Sequence, residues 1–276
     1  MEKKVSILNN RSVIKISGKD SLLFLNNIIS SDLEKINHEE LFMTTILSPQ
    51  GKILFDFFII KNKDCYLIEC SKNQLNDLIN KLKLYSLRLN VTFEIKDLDV
   101  IISNYFYQDE ISRKDLRFKN NDIYRHFSKP KKDFKNVCLK DWYDHLRFTN
   151  LCPEGEVEIP SNKLYPFEID IIYNQGIDFD KGCFIGQEVI ARVKYKGSIK
   201  KKYVSFKINS SEIIDNANIN DINKKVVGSL IYNSKINNDI FGFGLTKIEY
   251  IKKPLELFCE DVRLSILNWL IIVLYS

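Results

Sequence analysis

The sequence predicts an α+β fold whose C-terminal part closes into a small antiparallel β-barrel. Three observations carry this expectation. The first hundred residues alternate strand-like and helix-like periodicity in the order strand, helix, strand, strand, helix, strand. From residue 200 onward the texture changes to short alternating strands with no helical stretch of any length between them. The chain has 276 residues, enough for a large core and long for one packed unit, so two or three units are expected.

The elements follow in order. Residues 13–16, Val-Ile-Lys-Ile, alternate as a half-buried strand, and Ser17-Gly18 turns the chain. Asp20 or Ser21 is placed to cap a helix with Leu22, Leu25, Ile28 and Ile29 on one face. Ser48-Pro49-Gln50-Gly51-Lys52 reads as a turn from its Pro and Gly. Residues 53–60 form a strongly apolar strand interrupted by one charge, Asp56. Residues 62–64 make a hairpin turn and 65–70 return. Ser71 followed three residues later by Gln74 matches a capping box, with Leu75, Leu78, Ile79 and Leu82 behind it at helical spacing. Residues 91–95 and 100–103 are further strands. Residues 108–140 are polar, basic and weakly periodic; residues 141–147 read as a short helix, ended by Cys152-Pro153-Glu154-Gly155. The barrel strands are expected at 203–208, 226–232, 241–248 and 255–267, with a boundary near 198. Phe241-Gly242-Phe243-Gly244 lies among these strands and marks close backbone approach rather than a dinucleotide loop.

Composition excludes several classes. The net charge of +5 suits an anionic small ligand or weak nucleic-acid contact and is no footprint of a dedicated nucleic-acid binder. Heavy use of Ile, Lys and Asn reads as A+T-rich coding, which weakens any argument from the number of lysines. The basic runs at 129–135 and 194–202 read as solvated faces. Six cysteines, at 65, 70, 138, 152, 183 and 259, include no Cys-x-x-Cys pair and none at zinc spacing to a histidine, so no bound metal is expected. Their scatter, with no signal peptide, points to a reducing compartment. The apolar run 266–275 is too short to span a bilayer, which takes roughly 20 residues. It reads as a buried final strand, and no membrane partner is expected.

The segment Lys181-Gly182-Cys183-Phe184-Ile185-Gly186-Gln187-Glu188 concentrates chemistry. Its glycines permit close backbone approach. Residues 188–192 read as the start of a helix, which sets Cys183 just before a helix N-terminus with Lys181 beside it. Both features favour a thiolate. Asp56 is the second candidate, a carboxylate on an apolar strand that faces either a sheet edge or a pocket that perturbs it. Arg147 is placed to clamp a carboxylate. His145, on the same short helix, reads as a surface or hydrogen-bonded histidine. Serine-nucleophile and phosphate-loop motifs are absent.

The octapeptide, with Arg192 four residues on and Lys194-Tyr195-Lys196-Gly197 behind it, resembles the signature of the YgfZ proteins. These are folate-binding proteins implicated in iron–sulfur cluster assembly and tRNA modification, with mitochondrial relatives. They share a superfamily with the glycine-cleavage T-protein, an aminomethyltransferase. Ser17-Gly18-Lys19-Asp20 with Phe24-Leu25 and Ser31-Asp32, the Pro49-Gln50-Gly51 turn with Asp56, Tyr85-Ser86-Leu87-Arg88, and residues 142–147 with Pro153-Glu154-Gly155 are similar to family segments in the same order. The aminomethyltransferases carry Asp where Cys183 stands and a folate-contacting Glu where Thr149 stands; Leu151 occupies a position where YgfZ proteins usually have Gly.

The resemblance implies an aminomethyltransferase-like fold of three subdomains, 1–103, 104–197 and 198–276, around a tetrahydrofolate pocket. Asp56, Arg147, Gln187 and Arg192 would contact folate, and Cys183 would serve as the functional thiol within Lys181, Gly182, Phe184, Gly186, Gln187 and Glu188. The implied function is that of a folate-binding accessory to iron–sulfur cluster assembly or repair, with cluster proteins or their assembly machinery as partners and weak tRNA contact possible. A folate-dependent one-carbon transferase using Asp56, and an RNA-binding module using lysines 194–202, are the alternatives. The expected compartment is the bacterial cytoplasm, with the mitochondrial matrix as the alternative.

Overall fold

The computed structural model describes residues 2–35, 40–106, 111–129, 140–169, 176–197, 199–215, 217–252 and 256–267. The chain divides into two compact units that interleave along the sequence. The first comprises residues 1–140, 154–166 and 171–192; the second comprises 141–153, 167–170 and 193–276.

The first unit is built on one sheet of nine strands. These are β1 (Val5–Ile7), β2 (Arg11–Ser17), β3 (Glu40–Leu47), β4 (Ile53–Asn62), β5 (Cys65–Ser71), β6 (Thr92–Lys96), β7 (Asp99–Ser103), β8 (Ile111–Asp115) and β9 (Tyr124–Ser128). Their order is β1-β7-β9-β8-β3-β4-β5-β2-β6. The β3–β8 junction is parallel and thin, with Glu40 opposite Lys114 and Leu41 opposite Asp115. It joins a block of four strands to a block of five.

Helices α1 (Ser21–Ile28) and α2 (Leu75–Tyr85) cover one face of the five-strand block. Phe24, Leu25, Leu78 and Leu82 pack there with Ile14, Ile16, Phe57, Ile59 and Ile68. Strand periodicity of two places these sheet residues on one face, and the register agrees, pairing Ile14 with Ile68 and Ile59 with Ile68. Residues 111–115 and 124–128, in the stretch read as polar, basic and weakly periodic, pair as antiparallel strands. Their alternation was obscured because both faces of these strands carry polar side chains, including Arg113, Arg125 and His126.

Two helix starts differ from expectation. Ser71 is the last residue of β5, and Gln74 caps α2 without a side-chain bond, so the capping box is not formed. Asp20 makes no cap bond either; its Oδ2 accepts the Asn90 N–H at 2.7 Å.

The second unit is a closed barrel of β10 (Lys201–Ile208), β11 (Asn218–Asp221), β12 (Val226–Ile236), β13 (Asp239–Lys247), β14 (Leu257–Cys259) and β15 (Val262–Ile266), in the order β10-β13-β12-β11-β14-β15. The strand expected over 255–267 is two strands, divided at Glu260, whose φ is 54°. The expected extension to 275 lies mostly outside the described residues. Gly244 in β13 is required by space, since a Cβ there would sit 2.8 Å from Ile219 Cδ1. Helix α3 (Lys140–Thr149) stacks Phe148 on Phe243 at 4.4 Å and His145 edge-on to Phe241 at 5.2 Å.

Candidate functional site

Asp56 lies on the face of the five-strand block that turns away from α1 and α2. Cross-strand register places Phe58 opposite Glu69, and Glu69 opposite Val13. Asp56, Phe58, Glu69 and Arg11 therefore share this face, and Arg125 of β9 reaches it from the four-strand block. The two blocks enclose a layer of buried charge. Arg11 Nε donates to Glu69 Oε1 at 2.7 Å, and Arg125 Nη1 donates to the same oxygen. Arg125 Nη2 and Arg117 Nη2 both donate to Glu154 Oε2, at 2.9 and 3.0 Å. Arg117 also holds Asp115 through two bonds of 3.0 and 2.8 Å. The guanidinium of Arg125 sits 4.1 Å and that of Arg117 4.5 Å from the Phe58 ring centroid, so an aromatic face screens cations that would otherwise repel.

Asp56 is 1% exposed. Its Oδ2 accepts the Gly155 N–H at 2.8 Å, while Oδ1 has no partner among the described residues. Burial pushes its carboxyl above the ordinary range, opposed by nearby Arg11 and the Gly155 bond. Of the two readings the sequence left open for Asp56, a solvent-facing edge is excluded by its burial, and Glu69, Arg11, Arg117, Arg125 and Glu154 were not singled out. Glu69 carried a readable signal, a lone charge inside an apolar strand, as Asp56 is. Arg117, Arg125 and Glu154 come from segments without readable periodicity, and Arg11 stands two residues ahead of the alternating stretch 13–16.

The octapeptide is anchored at the turn that joins the end of β3 to the start of β4. Gly186 has φ 83°, and a Cβ on it would lie 2.6 Å from Ser48 O and 3.1 Å from Leu47 Cβ. It rests directly on the Ser48–Gly51 turn, where only glycine fits. Gly51, at φ 77°, packs in return against Val189 and Ile190. The residues just upstream are pinned by hydroxyls: Ser30 Oγ and Ser31 Oγ donate to Gly176 O at 2.6 and 3.0 Å. Lys181 Nζ donates to the carbonyls of Ile29 and Ser31 at 2.8 and 2.7 Å, and burial lowers its pKa to about 8.

This arrangement differs from the one expected around Cys183. Helix α4 (Gln187–Lys196) begins one turn beyond Cys183, and the Lys181 ammonium is held by carbonyls. Gly182 would have nothing within 4 Å of a Cβ, so its place here does not require glycine. Cys183 is nevertheless distinct among the described thiols. Cys70, Cys152 and Cys259 are buried and Cys65 half-buried, whereas Cys183 is exposed. Burial raises the pKa of Cys70 to about 12 and of Cys259 to about 11, which leaves both as unreactive thiols at neutral pH.

Of the remaining candidates, Gln187 Nε2 donates to Lys181 O at 3.3 Å, which closes the loop on itself. Arg192 pairs with Glu188 at 3.0 Å on the exposed face of α4. Arg147, in the second unit, pairs with Asp144 at 2.9 Å and lies 5.5 Å from the Tyr143 ring centroid. Among the described residues no group of three or more His, Cys, Asp or Glu is placed to hold a metal ion, and no helix is long and apolar enough to cross a membrane.

No family profile matches the chain. Curated relatives do. An iron–sulfur cluster assembly factor IBA57 homolog, mitochondrial, of Phaeosphaeria nodorum is 28% identical over 229 residues, 72% of this chain and 54% of the relative. The mouse iron–sulfur cluster assembly factor IBA57, mitochondrial, is 22% identical over 93% of this chain and 81% of its own length. An uncharacterised protein of Haemophilus influenzae is 23% identical, over 74% of each. The chain spans little more than half the length of the fungal relatives it matches. Among solved structures, the glycine cleavage system aminomethyltransferase T of Bartonella henselae superposes with a TM-score of 0.77 at 12% identity, over 96% of this chain and 84% of that one. These likenesses support a YgfZ/IBA57-type family for the chain, on an aminomethyltransferase-like fold.

Proposed function

We propose that this protein is a folate-binding accessory factor for iron–sulfur cluster assembly or repair, supporting cluster-dependent enzymes that include those modifying tRNA. The observation that carries the reading is the exposed thiol of Cys183 on a loop otherwise anchored to the fold, in a chain whose relatives are named as cluster assembly factors. An exposed thiol in this position suits transient persulfide, disulfide or cluster-transfer chemistry. The mitochondrion is the compartment the relatives' names favour.

The fit to folate rests on Asp56. A buried carboxyl oxygen without a partner is a place for a ligand donor, and Asp56 Oδ1 would accept from the pterin. Gln187 and Arg192 would supply further polar contacts. Tetrahydrofolate, when bound, supplies reduced ring nitrogens able to accept a one-carbon unit. The chain's own contribution would be a carboxyl held above its ordinary pKa and poised to exchange a proton at Oδ1. That same carboxyl favours a second reading, a one-carbon transferase.

Titration of the protein with tetrahydrofolate tests the pocket and turnover of a one-carbon donor separates the readings. Binding that is lost in Asp56→Ala, kept in Cys183→Ala and unaccompanied by turnover is expected. Equal affinity in wild type and Asp56→Ala overturns the folate assignment, and turnover overturns the accessory role.

A further inference from the structure

The layer between the two strand blocks is closed at one end by the Arg11–Glu69–Arg125 charges. At the other it opens into a cavity of about 710 Å3, within the range of small-molecule sites, about 300–1,000 Å3. Register explains the change in character along the layer. Two residues back from Glu69 on β5 lies Leu67, which pairs with Lys15 of β2, and both line the cavity. Ile111 and Leu98 add apolar wall. The rim is cationic: Lys15, Lys63, Lys96 and Lys129 against Asp64 and Asp97. Lys96 pairs with Glu94 at 2.9 Å. Lys15 stands opposite Glu94 across β2 and β6, Lys63 and Lys129 form no ion pair among the described residues, and Lys63 is held at the β4–β5 turn with φ 53°. Like charges gathered around a concavity are unfavourable unless an anion offsets them.

We propose that this cavity binds a nucleoside-sized phosphate monoester. The lysines would meet the phosphate as point charges, and Leu67, Leu98 and Ile111 would face the flat apolar base. The volume suits the whole molecule better than free phosphate. None of these residues belongs to the proposed folate contacts or to the octapeptide, so the two assignments stand or fall separately.

Calorimetric titration of the full chain with adenosine 5′-monophosphate at about 50 mM NaCl, where surface charge is weakly screened, tests this. The nucleotide should bind, with adenosine and inorganic phosphate each weaker by about tenfold or more, since each lacks one half of the contacts. Lys15→Gln/Lys63→Gln should weaken nucleotide binding by about tenfold while leaving the melting temperature unchanged. If that variant fails to fold, Lys63→Gln alone, at an exposed turn, should still lose about threefold. No saturable binding to wild type, binding no tighter than that of either half, or unaltered affinity in the variants overturns the proposal.

Discussion

Replacing Arg125 with alanine is the sharpest test of how the first unit is held together. The guanidinium is fully buried and joins Glu69, Glu154 and the Phe58 ring in one contact set. Its removal leaves two carboxylates inside the layer with one cation fewer and opens a cavity beside Phe58. Deleting one partner of a buried pair costs about 3–5 kcal/mol, a large part of a typical total stability of about 5–15 kcal/mol. A loss near 4 kcal/mol, at a urea dependence of about 3 kcal/mol per molar, moves the midpoint by about 1.3 M. Urea titration followed by circular dichroism reads the shift. Hydrogen exchange of β5 and β9 amides assigns it to this unit. Arg125→Ala combined with Glu154→Gln should cost less than the two single changes added, because the second removes a carboxylate that the first stranded. A single-variant loss below about 1 kcal/mol, the scale of exposed pairs, or additivity within about 0.5 kcal/mol, would refute the reasoning.

Four further outcomes are expected. Asp56 has its pKa raised above the ordinary 3.8, so the folded state holds its proton longer than the unfolded state, and stability falls as pH rises through that interval. Asp56→Asn should therefore be the more stable protein at pH 7 and lose that advantage near pH 4, measured by urea midpoints across pH. Lys181 has its pKa lowered from 10.5 to about 8, so the unfolded state binds more protons between these values. The stability of wild type relative to Lys181→Met should then rise over that window. Gly186→Ala should destabilise by at least about 2 kcal/mol through its left-handed φ and the approach to Ser48 O, whereas Gly182→Ala should stay within about 0.5 kcal/mol; equal effects would contradict the packing described. Cys183→Ala should leave the melting temperature unchanged, as expected of an exposed side chain.

The legible parts of this sequence were those with a period or a motif. Ile14, Ile16, Ile59 and Ile68 alternate, and their alternation fixed the face that meets α1 and α2. The change to short alternating strands after residue 200 announced the barrel, and the octapeptide carried the family resemblance. Local chemistry was misread where tertiary structure competes for the same atoms. Ser71 is held in β5, so it cannot cap α2, and Asp20 bonds Asn90 across the unit rather than its own helix. Lys181 sits beside Cys183 in sequence, yet its ammonium is drawn to carbonyls after α1. The charged layer was invisible because its members come from β2, β5, β8, β9 and the Glu154 loop. No local pattern relates Arg125 to Glu69, since long-range pairing alone brings them together.

On the proposed function, Cys183 supplies the chemistry of cluster assembly on an aminomethyltransferase-like fold. The most direct measurement is the activity of an iron–sulfur enzyme in cells lacking this protein, complemented by wild type or by Cys183→Ala at equal protein levels. Restoration by wild type with none by Cys183→Ala is the predicted result. Full restoration by Cys183→Ala would contradict the account.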